Sequence, residues 1–235
     1  MINERVSINN IREIRRKTIL KERKKKILKR RIIVAITIFL VCFGILKFID
    51  IYGESTTNNY DNIDVSKDIS SSKIPLFLQG DKRWGNLKYG NDTIEKEGCG
   101  PTCLAMVIVG LTKDSSINPK VVADYSKKAG YYDKDYGTKW ALMTEGAANY
   151  NLNSYEVPLD KSSMINELKN GHPIICSVGP GHFTKTGHFI VLKGYTKNGE
   201  FEINDPNSKK RSERTWSYEE ISSEIRGIWS FSYEK

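Results

Sequence analysis

The distribution of apolar positions first separates one continuous hydrophobic stretch from the rest of the chain. Residues 32–46, IIVAITIFLVCFGIL, contain no charged side chain, and the stretch continues after Lys47 with Phe48 and Ile49. At 1.5 Å per residue, a helix over 32–49 is roughly 27 Å long, close to the thickness of the hydrocarbon core of a bilayer. It lacks the polar face of a helix packed on a soluble core. The pattern therefore predicts a transmembrane helix over residues 32–49.

After this stretch, residues 50–73 are rich in Ser, Thr, Asn and Asp and show no apolar periodicity, which predicts a polar stalk. Residues 74–235 are enough for one domain with a buried core. Helical patterns occupy the first part of this region, and short apolar strand patterns occupy the second part. The predicted helices cover about 99–111, 118–130, 138–151 and 160–171, the last with Asp160 or Ser162 as its N-cap. The predicted strands cover 172–179, 188–195, 200–206 and 225–234. This order predicts an α+β fold with helices packed on an antiparallel sheet.

Positive charge is concentrated at the N-terminus. Residues 1–31 contain 13 Lys or Arg and three Glu, whereas the other residues contain 24 basic and 25 acidic side chains. By the positive-inside rule, this basic tail is cytoplasmic and the domain lies outside the membrane. A cleaved signal peptide is the alternative, but the basic segment is long and no A-x-A-like site follows. We therefore expect a single-pass protein of the cell membrane with an extracytoplasmic domain, and no nucleic-acid partner.

The cysteine count argues against a disulfide framework. Cys42 lies in the predicted span, which leaves an odd number of cysteines in the external domain. Cys176 lies in the apolar segment PIICSV, where a free cysteine behaves as a small buried hydrophobe. A zinc site formed by Cys99, Cys103 and a histidine is a weak alternative, because C-x₃-C lacks the usual flanking pattern. We therefore expect no metal and no cofactor.

Cys99 is the stronger candidate for a nucleophile. Pro101 suits the first position of a helix, where its missing N–H costs nothing, so Cys99 would lie in the turn that enters the helix. Unpaired backbone N–H groups and the helix dipole favour a thiolate at such a place. Gly98 and Gly100 would let a substrate backbone approach the sulfur. Cys103, one turn further along the helix, is predicted to be a packing residue.

A nucleophilic cysteine needs a base, and the chain contains His172, His182 and His188. A two-residue Asn198-Gly199 turn would pair strand 188–195 with EFEINDP. One face of this hairpin then carries a histidine and an aspartate among apolar residues: His188, Ile190, Leu192, Phe201, Ile203 and Asp205. The other face is polar and is predicted to meet solvent: Lys193, Glu200, Glu202 and Asn204. In this register Asp205 lies about 13 Å along the strand from His188, so contact requires a loop of about six residues or a β-bulge.

Four segments together resemble the bacteriocin-type double-glycine leader peptidase family: Gln79, EGCGPTCLAMV at 97–107, GHFIVLKGY at 187–195 and NDP at 204–206. The resemblance is closer to the stand-alone, secreted or membrane-anchored relatives, and it implies a papain-like fold over nearly all of 74–235. It implies that Cys99 is the nucleophile and His188 the general base. It further implies that Asp205 orients His188 and that Gln79 is the oxyanion donor.

The sequence differs from the transporter-fused members in two ways. Gln79 lies 20 residues before Cys99, further than in those members, and the chain contains no ABC transporter segment. We therefore expect a membrane-anchored cysteine peptidase that hydrolyses peptide or isopeptide bonds in a peptide or cell-wall peptide substrate. A non-catalytic cell-surface binding module of the same fold is one alternative, although such a module does not need all three reactive residues. A papain-like cell-wall amidase is another, but Asp-Cys-Ser-Gly would then be expected in place of GCGPT.

Overall fold

The computed structural model describes residues 63–69 and 73–233, together with Lys25, Lys29, Ile36 and Thr37. The chain divides into two units, Met1–Thr57 and Asn58–Lys235. Apart from those four positions, the predicted basic tail 1–31 and the predicted span 32–49 lie outside the described residues. Among the residues that are described, no helix combines the length and the apolar character that crossing a bilayer requires.

The second unit combines short and long helices with a six-stranded sheet. Its helices are α1 Ser66–Ile69, α2 Ile94–Glu97, α3 Cys99–Thr112, α4 Pro119–Lys128, α5 Glu145–Ala148, α6 Lys161–Lys169, α7 Lys209–Ser212 and α8 Tyr218–Ile221, with 3₁₀ turns at Trp140–Leu142 and Ser222–Glu224. Its strands are β1 Lys88–Tyr89, β2 Asp92–Thr93, β3 Tyr132–Asp133, β4 Gly137–Thr138, β5 Asn153–Glu156, β6 Ile174–Val178, β7 His188–Tyr195, β8 Phe201–Asn204, β9 Thr215–Trp216 and β10 Ile225–Ser232. The large sheet has the order β5-β10-β6-β7-β8-β9 with all neighbours antiparallel. The predicted α+β class, with helices on an antiparallel sheet, is confirmed.

Helix α3 is buried on all sides because it lies between the sheet and helix α4. Every residue from Gly100 to Gly110 is buried, and α3 packs against both β7 and α4. Helix α4 begins as predicted: the Asn118 side chain accepts hydrogen bonds from two backbone N–H groups, and Pro119 occupies the first helical position. The long apolar stretch after Cys99 is therefore the central helix of the domain.

The other face of the sheet is covered by α6 and α8. Met164 of α6 packs with Ile190 and Leu192 of β7 in a second apolar cluster, and Asp160 caps α6 by accepting a hydrogen bond from the N–H of Ser163. Both faces of β7 are thus buried. The prediction that Asn204 faces solvent is wrong, because the chain at residues 74–75 crosses this strand and its carbonyl oxygens accept hydrogen bonds from the Asn204 amide.

The predicted helix over 138–151 is also wrong, because the segment breaks into two short turns. A 3₁₀ turn at Trp140–Leu142 is followed by α5, and Thr144 between them has φ −107° and ψ −84°. Leu142 and Met143 are fully buried in the core. Thr144, which is β-branched, and Gly146 give this segment weak helix propensity. The packing of its apolar side chains therefore decides its conformation.

Part of the segment assigned to the stalk packs on the domain. Val65 is fully buried in the main apolar cluster, and its N–H donates to the carbonyl oxygen of Ser115. The Arg83 side chain forms an ion pair with Asp68 of α1 at 2.8 Å. The polar composition of residues 50–73 gave no sign of this short helix, because only isolated apolar side chains attach it to the core.

Candidate active site

Cys99 is the first residue of helix α3, and Gly98 is its N-cap. The helix begins at residue 99, in agreement with the predicted range 99–111, but Pro101 is its third residue and not its first. Pro101 still lies in the first turn, where its missing N–H breaks no helical hydrogen bond. Cys99 is partly exposed, whereas Cys103 and Cys176 are fully buried. Burial, together with the nearby Cys99, raises the pKa of Cys103 well above its ordinary value. Cys103 is therefore a neutral packing residue, as predicted.

The glycines beside Cys99 serve a purpose different from the predicted one. Both are buried. A Cβ atom added at Gly98 would lie 2.6 Å from Ile94 Cγ2, and one added at Gly100 would lie 2.6 Å from Thr138 Cγ2. These positions lack side chains because the protein packs against them, so the prediction that they admit the substrate is wrong.

His188 and Asp205 form a buried hydrogen-bonded pair, with Nε2 of His188 2.8 Å from Oδ1 of Asp205. Burial lowers the pKa of His188, but the bond to Asp205 and interactions with Cys99 outweigh it and raise the pKa to about 9. Burial raises the pKa of Asp205, but His188 and Arg211 outweigh it and lower that pKa. An ionised carboxylate only accepts hydrogen bonds, so Nε2 carries a proton that it donates to Oδ1. Ring atom Nδ1 is then the nitrogen left to act on Cys99.

A longer loop and a β-bulge in the hairpin together bring the histidine and the aspartate close to each other. The predicted two-residue turn is wrong: residues 196–200 form the loop, and the N–H of Thr196 donates to the carbonyl oxygen of Glu200. The register shifts between Leu192 and Gly194, so that Val191 lies opposite Asn204. Asp205 therefore follows opposite Ile190, two residues from His188 instead of four. The longer loop supplies one residue of this change and the bulge supplies the other, so the predicted requirement for a longer loop or a bulge is met.

The Asp205 carboxylate receives three hydrogen bonds, which hold both of its oxygen atoms. Oδ1 accepts from His188 and also from the N–H of Asn207 at 2.8 Å. Oδ2 accepts from Nε of Arg211. The N–H of Asp205 donates to Oγ of Ser212 at 2.8 Å. The carboxylate is thus fixed by residues of the turn and of helix α7 as well as by the histidine.

A cleft of about 460 Å³ opens beside Cys99 and His188. Two aromatic side chains at its edge are unusually exposed, Tyr136 at 89% and Trp140 at 48%. Phe189, small residues and charged groups of both signs complete the lining: Lys96, Glu97, Lys134, Asp135, Gly137, Thr138, Ser177, Thr186 and Gly187. All three histidines lie within the described range, and only His188 lines this cleft. His172 instead contacts Glu167, and His182 contacts Glu224.

One wall of the cleft, the β3-β4 hairpin, is held by a buried hydroxyl network. The Tyr89 hydroxyl lies 2.9 Å from both Ser126 Oγ and Thr138 Oγ1. Burial raises the pKa of Tyr89 to about 12, so the hydroxyl stays protonated at neutral pH. The Tyr132 ring packs edge-on against Tyr89 with 5.1 Å between ring centroids. This network positions Thr138 directly over Gly100.

Gln79 lies near the site but is not part of the cleft lining. Its N–H donates to the carbonyl oxygen of Pro206, the residue after Asp205, at 2.7 Å. Its side-chain Nε2 donates to the carbonyl oxygen of Glu95 at 2.6 Å. Among the described residues, its Oε1 is buried without a hydrogen-bond partner. The structure therefore attaches Gln79 to the segments that carry Cys99 and Asp205, and its role as an oxyanion donor stays a prediction.

The described residues contain no group of three or more His, Cys, Asp or Glu side chains arranged to hold a metal ion. In the zinc alternative, Cys103 would have to ligate as a thiolate, which its burial and raised pKa oppose. The structure gives this alternative no support.

Sequence reasoning missed Arg211 and the hydroxyl network behind the wall. Arg211 belongs to the basic run KKR at 209–211, where no pattern distinguishes it from its neighbours. Tyr89, Ser126 and Thr138 are far apart in the chain and meet only in the fold. A single sequence carries no signal that would have linked them.

Comparison with known proteins agrees with the family resemblance. Residues 71–233 match the model of the Peptidase C39 like family. The chain is similar to the solved structure of a double glycine motif protease from an AMS/PCAT transporter in complex with the leader peptide, with 22% identity over 68% of this chain and 92% of that chain and a TM-score of 0.45. It is also similar to xylellain, a cysteine protease from Xylella fastidiosa, with 16% identity over 63% and 82% of the two chains and a TM-score of 0.43. No curated protein matches it significantly. Because the family model spans well over half of its residues, the chain belongs to the Peptidase C39 like family.

Proposed function

We propose that this protein is a cysteine peptidase that hydrolyses peptide or isopeptide bonds with Cys99, His188 and Asp205. The observation that carries the proposal is that a buried His188–Asp205 pair and a partly exposed cysteine at a helix N-terminus meet in one cleft. Membership of the Peptidase C39 like family supports the same reaction class. Each of the three groups suits one role in acyl transfer.

In the proposed reaction, Nδ1 of His188 takes the proton of the Cys99 thiol, and the sulfur attacks the carbonyl carbon of the substrate. The resulting imidazolium is stabilised by Asp205, which also keeps the proton on Nε2. His188 then donates its proton to the leaving amine, and an acyl group remains on the sulfur. A water molecule, deprotonated by His188, releases the acyl product and restores the thiol. Gln79 is proposed as the oxyanion donor on the strength of the family resemblance.

The cleft supports a peptide as substrate. It is lined by charges of both signs, together with the exposed side chains of Tyr136 and Trp140. Polar groups at the edge can pair with a peptide backbone, and exposed aromatic rings can cover its apolar side chains. We propose a peptide or cell-wall peptide as the substrate class.

The location of the protein is proposed from the sequence. Residues 32–49 are proposed to anchor the chain in the cell membrane, with the basic tail 1–31 in the cytoplasm. The peptidase domain would then act outside the membrane.

A peptide-like electrophile tests the proposed chemistry. The full chain in detergent is treated with a peptidyl vinyl sulfone, and the labelled residue is identified by peptide mass mapping. We expect a single adduct on Cys99, and His188→Ala should slow its formation by at least about a hundredfold, the lower range for loss of general-base catalysis. His182→Ala is the matched control, because His182 also pairs with a carboxylate but lies outside the cleft lining.

The same variants decide between an enzyme and a binding module. A peptidase should also cleave members of a mixed peptide library, and Cys99→Ala should abolish cleavage while leaving the fold intact. Labelling that is equally fast in the His188→Ala and His182→Ala variants would contradict the proposed base. Absence of both labelling and cleavage would instead favour a non-catalytic surface module of the same fold.

A further inference from the structure

Arg211 is the charged side chain that contacts the second oxygen of the Asp205 carboxylate. Its Nε donates to Oδ2, while Oδ1 accepts from His188. Arg211 itself is part-buried, with 29% of its side chain exposed, and Asp205 is fully buried. A guanidinium N–H bonded to a buried carboxylate is a charge-assisted hydrogen bond, which is stronger and shorter than a neutral one.

The local chain holds Arg211 in place independently of the histidine. Ser208 caps helix α7 and accepts a hydrogen bond from the N–H of Arg211 at 3.2 Å. The carbonyl oxygen of Arg211 accepts a hydrogen bond from the indole N–H of Trp216 at 3.1 Å. The backbone of Arg211 is thus fixed at both ends, and its side chain reaches back over the turn to the carboxylate.

We propose that Arg211 is a positioning residue for catalysis: it keeps Asp205 ionised and oriented so that Oδ1 points at Nε2 of His188. This inference rests on the proposed function. Without Arg211, the carboxylate would keep only the hydrogen bonds from His188 and Asn207, both at Oδ1. The carboxylate would then be free to rotate, and Oδ2 would be free to take a proton, because burial favours a neutral carboxyl group.

Three elements packed around Asp205 each bring one titratable or charged group close to it. His188 comes from β7, Arg211 from α7, and Cys103 from α3 interacts with the carboxylate electrostatically. Cys103 is a buried neutral thiol, so Arg211 and the His188 imidazolium are the positive charges that oppose protonation of Asp205. Removing one of these two charges should therefore raise the pH at which Asp205 takes a proton.

Nuclear magnetic resonance of the histidine rings measures this effect without requiring peptidase activity. The full chain in detergent carries ¹⁵N-labelled histidine, and His188 is assigned by its loss in His188→Ala. When Asp205 takes a proton, the ring signal of His188 changes, so its acid inflection reports the carboxyl pKa. In the wild-type protein we expect this inflection below pH 3.8. In Arg211→Met we expect it about one pH unit higher, the low end of the effect of an adjacent opposite charge.

Two further variants make the comparison specific. Lys210→Met removes the same charge from the neighbouring, exposed residue of α7 and should leave the inflection unchanged. Arg211→Lys restores the charge without the fixed fork of donors and should lie between wild type and Arg211→Met. If peptide cleavage is established, Arg211→Met should lower kcat about tenfold with KM unchanged, because Arg211 does not line the cleft.

Each outcome bears on the proposal. Equal inflections in wild type, Arg211→Met and Lys210→Met would overturn it. If Arg211→Met does not fold, Arg211→Gln gives the same test, and failure of both to fold would assign Arg211 a structural role and also overturn the proposal. A wild-type protein that cleaves no peptide would disprove the proposed function, but a shifted inflection would still show that Arg211 controls Asp205.

Discussion

Replacing Asp205 by Asn measures how strongly the carboxylate stabilises a charged His188. Asparagine keeps the shape of the side chain but removes its charge. In the wild-type protein the pKa of His188 is raised from 6.5 to about 9, a difference of about 2.5 units. At about 1.4 kcal/mol per unit, this corresponds to roughly 3 kcal/mol of folding stability. That figure is the net of opposing effects, because burial lowers the pKa of His188 while Asp205 and Cys99 raise it.

The sign of the pH dependence follows from the direction of the shift. Because the pKa of His188 is raised in the folded state, its contribution is complete below pH 6.5 and is lost as the pH rises through about 9. Asp205→Asn should therefore destabilise the protein more at pH 6 than at pH 10, by about 3 kcal/mol. The lost bond to Arg211 affects both pH values equally and cancels in this comparison.

Urea unfolding of both proteins at pH 6 and pH 10 provides the measurement, with Asp135→Asn as a control for an exposed carboxylate. The control should show the same small difference at both pH values. A second readout is the titration of the His188 ring, whose midpoint should fall well below 9 in Asp205→Asn. A loss of stability in Asp205→Asn that is equal at pH 6 and pH 10 would refute the argument, because the carboxylate would then not stabilise the imidazolium.

Three further predictions concern the cysteines, a glycine and the membrane topology. Iodoacetamide at pH 6 should modify Cys99 and leave the buried Cys103 and Cys176 unmodified, as mapped by mass spectrometry, and Cys103→Ala should stay active while losing about 1 kcal/mol in urea unfolding. Gly100→Ala should cost about 1–3 kcal/mol in the same assay, because its Cβ would overlap the stiff side chain of Thr138, and an unchanged stability would contradict this packing. Protease added to intact cells should remove the C-terminal domain, and protection of the domain with loss of the N-terminus would reverse the predicted topology.

The sequence predicted those elements whose pattern is strong and local. Strand β7 has the predicted bounds, His188 to Tyr195, because a run of apolar β-branched and aromatic residues is bounded on both sides by glycine or turn residues. Helix α4 was equally clear, since Asn118 and Pro119 mark its start. Residues 138–151 and the segment around Val65 were not predictable, because their conformation depends on side chains buried against distant parts of the chain.

The candidate site shows the same division. The positions of Cys99 at a helix start and of His188 at the start of a strand could be predicted, because both elements have a clear sequence pattern. The roles of the neighbouring glycines were misjudged, since only the fold reveals that Ile94 and Thr138 occupy the space above them. Arg211 could not be found at all, because a contact between an arginine and a carboxylate six residues away has no periodicity of its own.

The register of the β7-β8 hairpin combines a feature that the sequence predicts with one that only the fold reveals. Alternation along a strand fixes which face a side chain occupies, so His188 and Asp205 were correctly placed on one face. Their separation along the strand depends on the loop and on one extra residue, Lys193, at the bulge. Without the bulge, the Gly194–Glu202 register would continue and place Asp205 opposite Val191, about 10 Å along the strand from His188 and beyond hydrogen-bond reach. The 2.8 Å contact between His188 and Asp205 therefore depends on the backbone at Lys193, a half-buried residue of the hairpin that carries none of the proposed chemistry.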